Sequence, residues 1–511
     1  MDNKQELYTQ LWNSADALRG KMDANDYKNY LLGLIFYKHL SDQALGCAME
    51  LLDESPADLN EALEIYKEAF NDEDTAEDLV MELKEELNYV IRPNLTYTAM
   101  MQDIYNASFE LETLQKAFTE VEQSDVIFDH LFSDIDLHSS KLGKTVAQQN
   151  KVIADVMKHL AELNLSTEDG DVLGDAYEYL IGKFASDSGK KAGEFYTPHA
   201  VSELMARIVL KNKEDQHGLT AYDPTMGSGS LLLTLAKYSN KPSSIRYYGQ
   251  ELNTTTYNLA RMNMLLHGVD AANQHFKNAD TLEADWPSEE PTTFDAVVMN
   301  PPYSQKWSAD KGFLDDPRYM SYGVLAPKSK ADYAFLLHGL YHLKETGTMA
   351  IVLPHGVLFR GAAEGKIRQK LLESGLIDAV IGLPANIFFN TSIPTCILIL
   401  KKDRTEKDVF FIDASQEFEK EKTQNYLKEA HIEKIIDAYN QREDIEKFAH
   451  LATFDEIKEN DYNLNIPRYV DTFEEEEPVD LNEVKQQLEN IDKEIASLDA
   501  ELAKYFNELG L

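Results

Sequence analysis

Residues 219–233 read Leu-Thr-Ala-Tyr-Asp-Pro-Thr-Met-Gly-Ser-Gly-Ser-Leu-Leu-Leu: a short apolar run, a turn with two glycines, then the start of an apolar helix. Glycine has no Cβ, so a strand-to-helix turn built on it lets backbone N–H groups come close to a ligand. Outward from this stretch, short apolar runs alternate with helical ones. The predicted strands are Leu219–Tyr222, Ile245–Gly249, His275–Ala279, Phe294–Met299, Thr348–Leu353, Ile377–Leu383 and Thr395–Lys401. Seven strands alternating with helices predict an α/β fold with a mostly parallel sheet covered on both faces. Ligands of such sheets sit at the carboxyl ends of the strands, near the topological switch point.

The strand tips carry the chemistry. After the first come Asp223 and the Gly227-Ser228-Gly229 turn; after the second comes Glu251, suited to a bidentate grip on ribose hydroxyls; after the third comes Asp280, placed to accept from an exocyclic amine. These tips describe a nucleoside site without a phosphate pocket. The dinucleotide fingerprint would need a third glycine where Leu232 stands. A Walker A loop at Gly143-Lys144-Thr145 would need glycine in place of His138.

The fourth strand runs into Asn300-Pro301-Pro302-Tyr303. Prolines donate no hydrogen bond and fix φ, so the carbonyls here are presented as acceptors, beside the Asn300 side-chain oxygen and the flat face of Tyr303. An NH₂ group on a ring stacked against that face is the expected guest. Holding both N–H bonds in a tetrahedral arrangement draws the nitrogen lone pair out of conjugation and aims it at an electrophilic methyl.

The flanks differ in texture. Residues 1–165 read as an all-α domain, with Leu7, Leu11, Leu18, Tyr30, Leu31, Leu34, Ile35 and Leu40 at helical spacing; Leu51–Val90 holds 14 acidic residues and two lysines, read as solvated helix faces. Residues 166–470 form the α/β domain. Residues 471–511 begin with the acidic Glu474–Glu477 spacer and continue as a heptad seam: Leu481, Val484, Leu488, Ile491, Ile495, Leu498, Leu502, Tyr505 and Leu509. That seam predicts a coiled-coil-like helix, with its partner in cis or in trans.

The 511 residues carry 49 Lys+Arg against 89 Asp+Glu, a formal net charge of −40. Such a balance argues against a protein that grips nucleic acid by itself. Lys191–Asp408 nevertheless holds 23 basic and 24 acidic residues, so the acidity belongs to the flanks. Two cysteines, Cys47 and Cys396, make no disulfide framework. Cysteine and histidine never occur together at ligand spacing, so no metal site and a reducing, cytoplasmic location are expected. The first 20 residues lack the pattern of a signal peptide, and no apolar run is long enough to span a bilayer.

The ordered set Asp-Pro-x-x-Gly-x-Gly (223–229), Gln250-Glu251, Asp280 and Asn300–Tyr303 resembles the S-adenosylmethionine-dependent amino-methyltransferases of DNA. Gly193-Glu194-Phe195-Tyr196-Thr197-Pro198-His199 precedes the glycine turn, as in the γ arrangement, which mostly makes N6-methyladenine. With the helical N-terminal domain and the segment Asp461–Tyr469, nearly the whole chain resembles the methylation subunit of type I restriction-modification systems. The resemblance implies a Rossmann-like, seven-stranded methyltransferase sheet. It implies cofactor contacts from Glu194, Phe195, Tyr196, Thr197, Pro198, His199, Gly227, Ser228, Gly229 and Glu251, with Asp223 shaping the turn and Asp280 facing the adenine. Asn300 and the Pro301 carbonyl would hold the target N6 amine, Pro302 would rigidify the loop, and Tyr303 would stack on the base. A second stacking aromatic is expected at Phe388 or Phe389. The implied partners are double-stranded DNA reached through the assembled complex, a specificity subunit bound by two methylation subunits, and a motor-nuclease subunit. Glutamine-amide and ribosomal-RNA guanine methyltransferases also use Asn-Pro-Pro-Tyr, but their chains are shorter and lack both flanking regions.

Overall fold

The computed structural model describes residues 8–9, 11–13, 24–162, 171–187, 196–388, 392–420, 424–472 and 481–509. Seven helices come first: α1 (Ala24–Leu51), α2 (Leu59–Asn71), α3 (Glu73–Leu87), α4 (Tyr97–Tyr105), α5 (Leu111–Glu122), α6 (Val146–Ala161) and α7 (Asp171–Asp187). Their starts are set by side-chain caps. Asp58 accepts from the N–H groups of Asn60 and Glu61, Asp72 from Asp74, Thr96 from Ala99 and Thr145 from Gln148. The acidic α2 and α3 bury only Ala62, Leu63 and Tyr66, and Leu79 and Leu83, respectively, which leaves most of their carboxylates in solvent. The aromatic core here includes a stacked pair, Phe118 and Phe132, with ring centroids 4.2 Å apart.

The sheet that follows has strands β1 (Thr220–Asp223), β2 (Arg246–Glu251), β3 (Gln274–Asn278), β4 (Phe294–Met299), β5 (Leu343–Pro354), β6 (Ile377–Gly382), β7 (Thr395–Lys401) and β8 (Val409–Asp413). A two-stranded ribbon, β9 (Glu419–Lys420) with β10 (Asn425–Tyr426), stands apart, and β11 (Ala449–Ala452) closes the main sheet. The strand order is β11-β8-β6-β7-β5-β4-β1-β2-β3. β7 runs antiparallel between β5 and β6, β11 runs antiparallel to β8, and the other pairs are parallel.

All seven expected strands are present, β1 and β3 each shifted by one residue. The sheet is larger than expected: β8 and β11 extend it beyond β6 to nine strands. Helices α8 (His199–Val209), α9 (Ser230–Lys237), α10 (Thr254–Leu266), α11 (Asp332–Tyr341), α12 (Ala362–Glu373), α13 (Glu429–Gln441) and α14 (Phe454–Glu459) accompany it. Along β7, Ile397 and Ile399 enter one core while Cys396, Leu398 and Leu400 enter another. That alternation is what a sheet buried on both faces requires.

The helical region is seated on α10. Leu259, Met262 and Leu266 belong to the helical core, Arg261 donates to the Asp129 carbonyl at 2.9 Å, and Asn258 to the His130 carbonyl at 3.0 Å. Met1–Val470 makes one compact unit and Asp471–Leu511 a second. The second consists of α15 (Leu481–Leu509), whose Leu488, Ile491, Ile495, Leu498, Leu502 and Tyr505 are all exposed. Among the described residues, no helix is long and apolar enough to cross a membrane.

Candidate active site

A cleft opens at the tips of β1 and β4, where Tyr196 and Thr197 face the glycine turn and Asn300. The turn is shaped by its backbone. Gly227 and Gly229 have φ of 55° and 79°, the left-handed region. A Cβ on Gly229 would lie 3.2 Å from Cε of Met264, so helix α10 approaches too closely for a larger residue to enter without displacement. Asp223, fully buried at the tip of β1, accepts from the Thr225 N–H at 2.8 Å and its hydroxyl at 3.2 Å, which folds the chain back toward the cleft. Burial pushes the Asp223 carboxyl up to about 8, against the opposing pull of the Thr225 bonds.

Glu251 at the tip of β2 accepts from the Gly227 N–H at 3.2 Å and the Asn253 N–H at 2.8 Å, so one carboxylate ties the turn to the start of α10. Burial raises its pKa above the ordinary glutamate value. The Met226 N–H donates to the Gln250 carbonyl at 2.9 Å, and Asn263 donates to the Ser228 carbonyl at 3.0 Å. Asp280 lies two residues past β3, where its carboxylate accepts the Leu282 N–H at 2.9 Å.

Asn300 is 8% exposed and makes two side-chain bonds: Nδ2 donates to Oγ1 of Thr197 at 3.1 Å, and Oδ1 accepts from the Tyr303 hydroxyl at 2.8 Å. One lone pair of Oδ1 is left for an incoming amine. Burial keeps the Tyr303 phenol protonated and therefore a donor. Beyond the prolines, the Ser304 N–H donates to Asp332 at 2.8 Å, and Arg360 donates to the other Asp332 oxygen at 2.7 Å. The loop after Tyr303 is thus anchored to α11.

Of the predicted residues, Tyr196, Thr197, Asp223, Gly227, Ser228 and Asn300 come together at the cleft. Pro198 caps α8, and His199 is exposed at its first position. Phe388 is 2% exposed and meets the Tyr303 ring edge-on, centroids 6.0 Å apart, as part of the core. Glu194, Phe195 and Phe389 lie outside the described residues. Thr225, Met226, Ser230 and Leu231 also line the cleft. They sit inside the glycine motif, and the polar Thr225 and Ser230 beside its glycines were the available signal. Asp332 and Arg360 carry no local sequence signal.

Residues 168–478 match the family model described as N-6 DNA Methylase, and residues 7–160 match the HsdM N-terminal domain. The chain belongs to the N-6 DNA methylase family. This methylase is 37% identical over 506 residues to the type I restriction enzyme MpnII methylase subunit of Mycoplasma pneumoniae, covering 94% of this chain and 92% of that one. It is 31% identical to the MjaVIII methylase subunit of Methanocaldococcus jannaschii, over 99% of this chain and 85% of that one. The crystal structure of a type I restriction-modification methyltransferase subunit from Streptococcus thermophilus matches at 63% identity with a TM-score of 0.90, covering 92% of this methylase and 100% of that chain. The methylase is thus of the type I subunit kind, an adenine-N6 DNA methyltransferase with an added helical domain.

Proposed function

We propose that this methylase transfers a methyl group from S-adenosylmethionine to the N6 amine of an adenine flipped out of DNA. The observation that carries the proposal is the placement of Asn300: its free lone pair opens on the same cleft as the glycine turn, beside Thr197. The donor set suits the cofactor. Glu251 offers acceptors for ribose hydroxyls, Asp280 an acceptor for the adenine amine, and the Gly227–Gly229 turn leaves room for close backbone approach, with Tyr196, Thr197 and the rest of 194–199 covering the methionine end. When bound, S-adenosylmethionine supplies an electrophilic methyl on a sulfonium.

Asn300 Oδ1 and the Pro301 carbonyl accept the two N–H bonds of the target amine, and the ring stacks on Tyr303 and on one of Phe388 and Phe389. Of these two, Phe389 is favoured, because the Phe388 side chain is committed to the core. These contacts would turn the amine's lone pair toward the cofactor's methyl, and because the extra proton would leave the nitrogen only after transfer, no catalytic histidine or cysteine would be needed. Extrusion of the base from the duplex costs a few kcal/mol.

A net charge of −40 leaves this chain poorly suited to hold DNA alone. We therefore assign target choice to a specificity subunit carrying two methylation subunits, with a motor-nuclease subunit for restriction, in the cytoplasm. The domain division at 1–165, 166–470 and 471–511 follows the same reading. Methyl transfer from tritiated S-adenosylmethionine, compared on unmethylated plasmid, ribosomal RNA and protein with the specificity subunit present, tests it. Label in plasmid adenine is expected, and Asn300→Ala should abolish it while cofactor binding persists; label in RNA or protein, or an active Asn300→Ala, would overturn it.

A further inference from the structure

Glu178 on α7 is 7% exposed, and no hydrogen bond or ion pair of its carboxylate occurs among the described residues. One turn earlier on the same helix face stands Asp175, and across from both, on the residue that follows α10, stands His267. One ligand atom from each lies within 4.8 Å of the other two.

The imidazole is held in one tautomer. His267 Nδ1 is 2.9 Å from the Asn263 carbonyl, which can only accept, so Nδ1 carries the proton and Nε2 presents its lone pair. That Nε2 atom is buried and has no hydrogen-bond partner. The His267 ring packs directly on Gly174 of α7, where a Cβ would fall 2.7–2.8 Å from Nε2, Cδ2 and Cε1, so glycine is what lets the imidazole lie against this helix. Lys237 pairs with Oδ1 of Asp175 at 2.9 Å and neutralises one of the two carboxylates.

We propose that Asp175, Glu178 and His267 bind a divalent transition cation, Zn²⁺ or Mn²⁺, that fastens α7 to α10. One imidazole with two carboxylates is a donor set these ions accept, and coordination at roughly 2.0–2.2 Å needs only a small inward movement of the three side chains. The site was invisible to motif spacing because the histidine lies 89 positions beyond Glu178 in the sequence. Its effect reaches the active site along α7, since a Cβ on Gly182, one turn past Glu178, would lie 3.2 Å from the Tyr196 ring that lines the cleft.

A second group, Asp285, His338 and His342, shows the contrast. There every ring nitrogen is taken: His338 by Arg318 at 3.1 Å and the Tyr222 hydroxyl at 2.8 Å, His342 by the Thr292 carbonyl at 2.6 Å and Asp285 at 2.8 Å. That cluster is a closed hydrogen-bond network with no lone pair to give.

The test uses the full-length methylase freed of any affinity tag and stripped with chelator. Equilibrium dialysis against Zn²⁺ or Mn²⁺ with elemental analysis should show one saturable equivalent of at least one ion and a raised melting temperature. Glu178→Gln and His267→Gln should each weaken binding by more than the ~10–100-fold that loss of an outer partner costs a metal site. Asp285→Asn should leave it unchanged. Circular dichroism of the stripped variants establishes that they fold, and Asp175→Asn serves if either does not. Absence of a saturable equivalent, or binding lost in Asp285→Asn and kept in the folded Glu178→Gln and His267→Gln proteins, would overturn the assignment.

Discussion

Nδ2 of Asn300 donates to Oγ1 of Thr197 at 3.1 Å, across 103 positions of sequence. The bond joins the segment ahead of the glycine turn to the loop at the tip of β4, and it fixes which way the Asn300 amide points. With Nδ2 committed to Thr197, Oδ1 is left to accept from Tyr303 and, under the proposed function, from the target amine. Thr197→Val keeps the shape and removes the acceptor, leaving a buried N–H unpaired at a cost of about 1–3 kcal/mol. Single-turnover methyl transfer should slow by roughly tenfold or more, with cofactor affinity changed much less, and Thr197→Ser should restore the rate. A Thr197→Val enzyme as fast as wild type would show that Asn300 needs no such anchor.

Gly229 and Gly268 separate two costs that glycine substitutions usually mix. Both have positive φ, 79° and 65°, in the left-handed region that side chains disfavour. A Cβ on Gly268 meets nothing within 4 Å, whereas one on Gly229 meets Met264 and Ala260. Gly268→Ala should therefore cost the ~1–2 kcal/mol of the left-handed conformation alone. Gly229→Ala should cost more in denaturant titrations and also weaken S-adenosylmethionine binding, because the turn it distorts lines the cleft. Equal losses in both variants would argue that α10 yields freely to the extra methyl.

Asp223 makes stability depend on pH in an unusual direction. Its carboxyl is pushed up to about 8 in the folded chain by burial, against about 3.9 in an unfolded one. Between those values the folded state holds a proton that the unfolded state has released, so the contribution is fully present below about pH 4 and lost as pH rises through about 8. Asp223→Asn keeps the oxygen that accepts from Thr225 and removes the titration. The melting temperature of the variant relative to wild type should climb between pH 5 and pH 8, and parallel curves would show that Asp223 ionises in the folded chain as it does in solution.

Most of the seven strands were legible because they are apolar runs bounded by polar or glycine-containing turns, and burial on both faces leaves no ambiguity of period; β3 (Gln274–Asn278), at the edge of the sheet, is half-buried to exposed and has Phe276 as its one large apolar residue. Val409–Asp413 carried the same signal in Val-Phe-Phe-Ile, but it follows a run of charged residues that marks a boundary. Ala449–Ala452 is too short, and pairs with only one neighbour, to stand out. At the site, Asp223, Gly227 and Asn300 were legible because they sit at strand tips. Thr197 was legible only through the family motif, and its bond to Asn300 was not. Asp332, Arg360, Glu178 and His267 owe their placement to helices packing over long separations, and no local pattern records that.

Asp378 gathers four partners near the start of β6. It is 4% exposed, accepts from the Tyr439 hydroxyl at 2.7 Å and Arg442 at 3.0 Å, and lies 3.3 Å from both Lys401 and Arg404. Asp408 also pairs with Arg404 at 3.2 Å and Arg442 at 2.8 Å, but Asp378 is the carboxylate that Lys401, Arg404 and Arg442 share, and removing it leaves these three cations close together with Asp408 alone. Asp378→Ala should destabilise the chain by about 3–5 kcal/mol, read from urea unfolding, without altering cofactor affinity in whatever fraction remains folded. A loss below about 1 kcal/mol would mean that solvent already screens the cluster.

Helix α15 separates its role from that of the rest of the chain. Leu488, Ile491, Ile495, Leu498, Leu502 and Tyr505 form a heptad seam that is 50–62% exposed. Asp471–Leu511 is a unit distinct from Met1–Val470, so ending the chain after Pro478 removes no core residue of the larger unit. The truncated methylase should keep its melting temperature and its affinity for S-adenosylmethionine. Under the proposed assembly it should lose co-purification with the specificity subunit, since a two-position seam is complementary to another helix. Replacing Ile491, Ile495 and Leu498 by glutamate in the full-length chain should reproduce that loss without shortening the protein. If the truncated and glutamate-substituted chains both assemble normally, the seam has no part in docking the specificity subunit, and contacts for it must be sought on Met1–Val470.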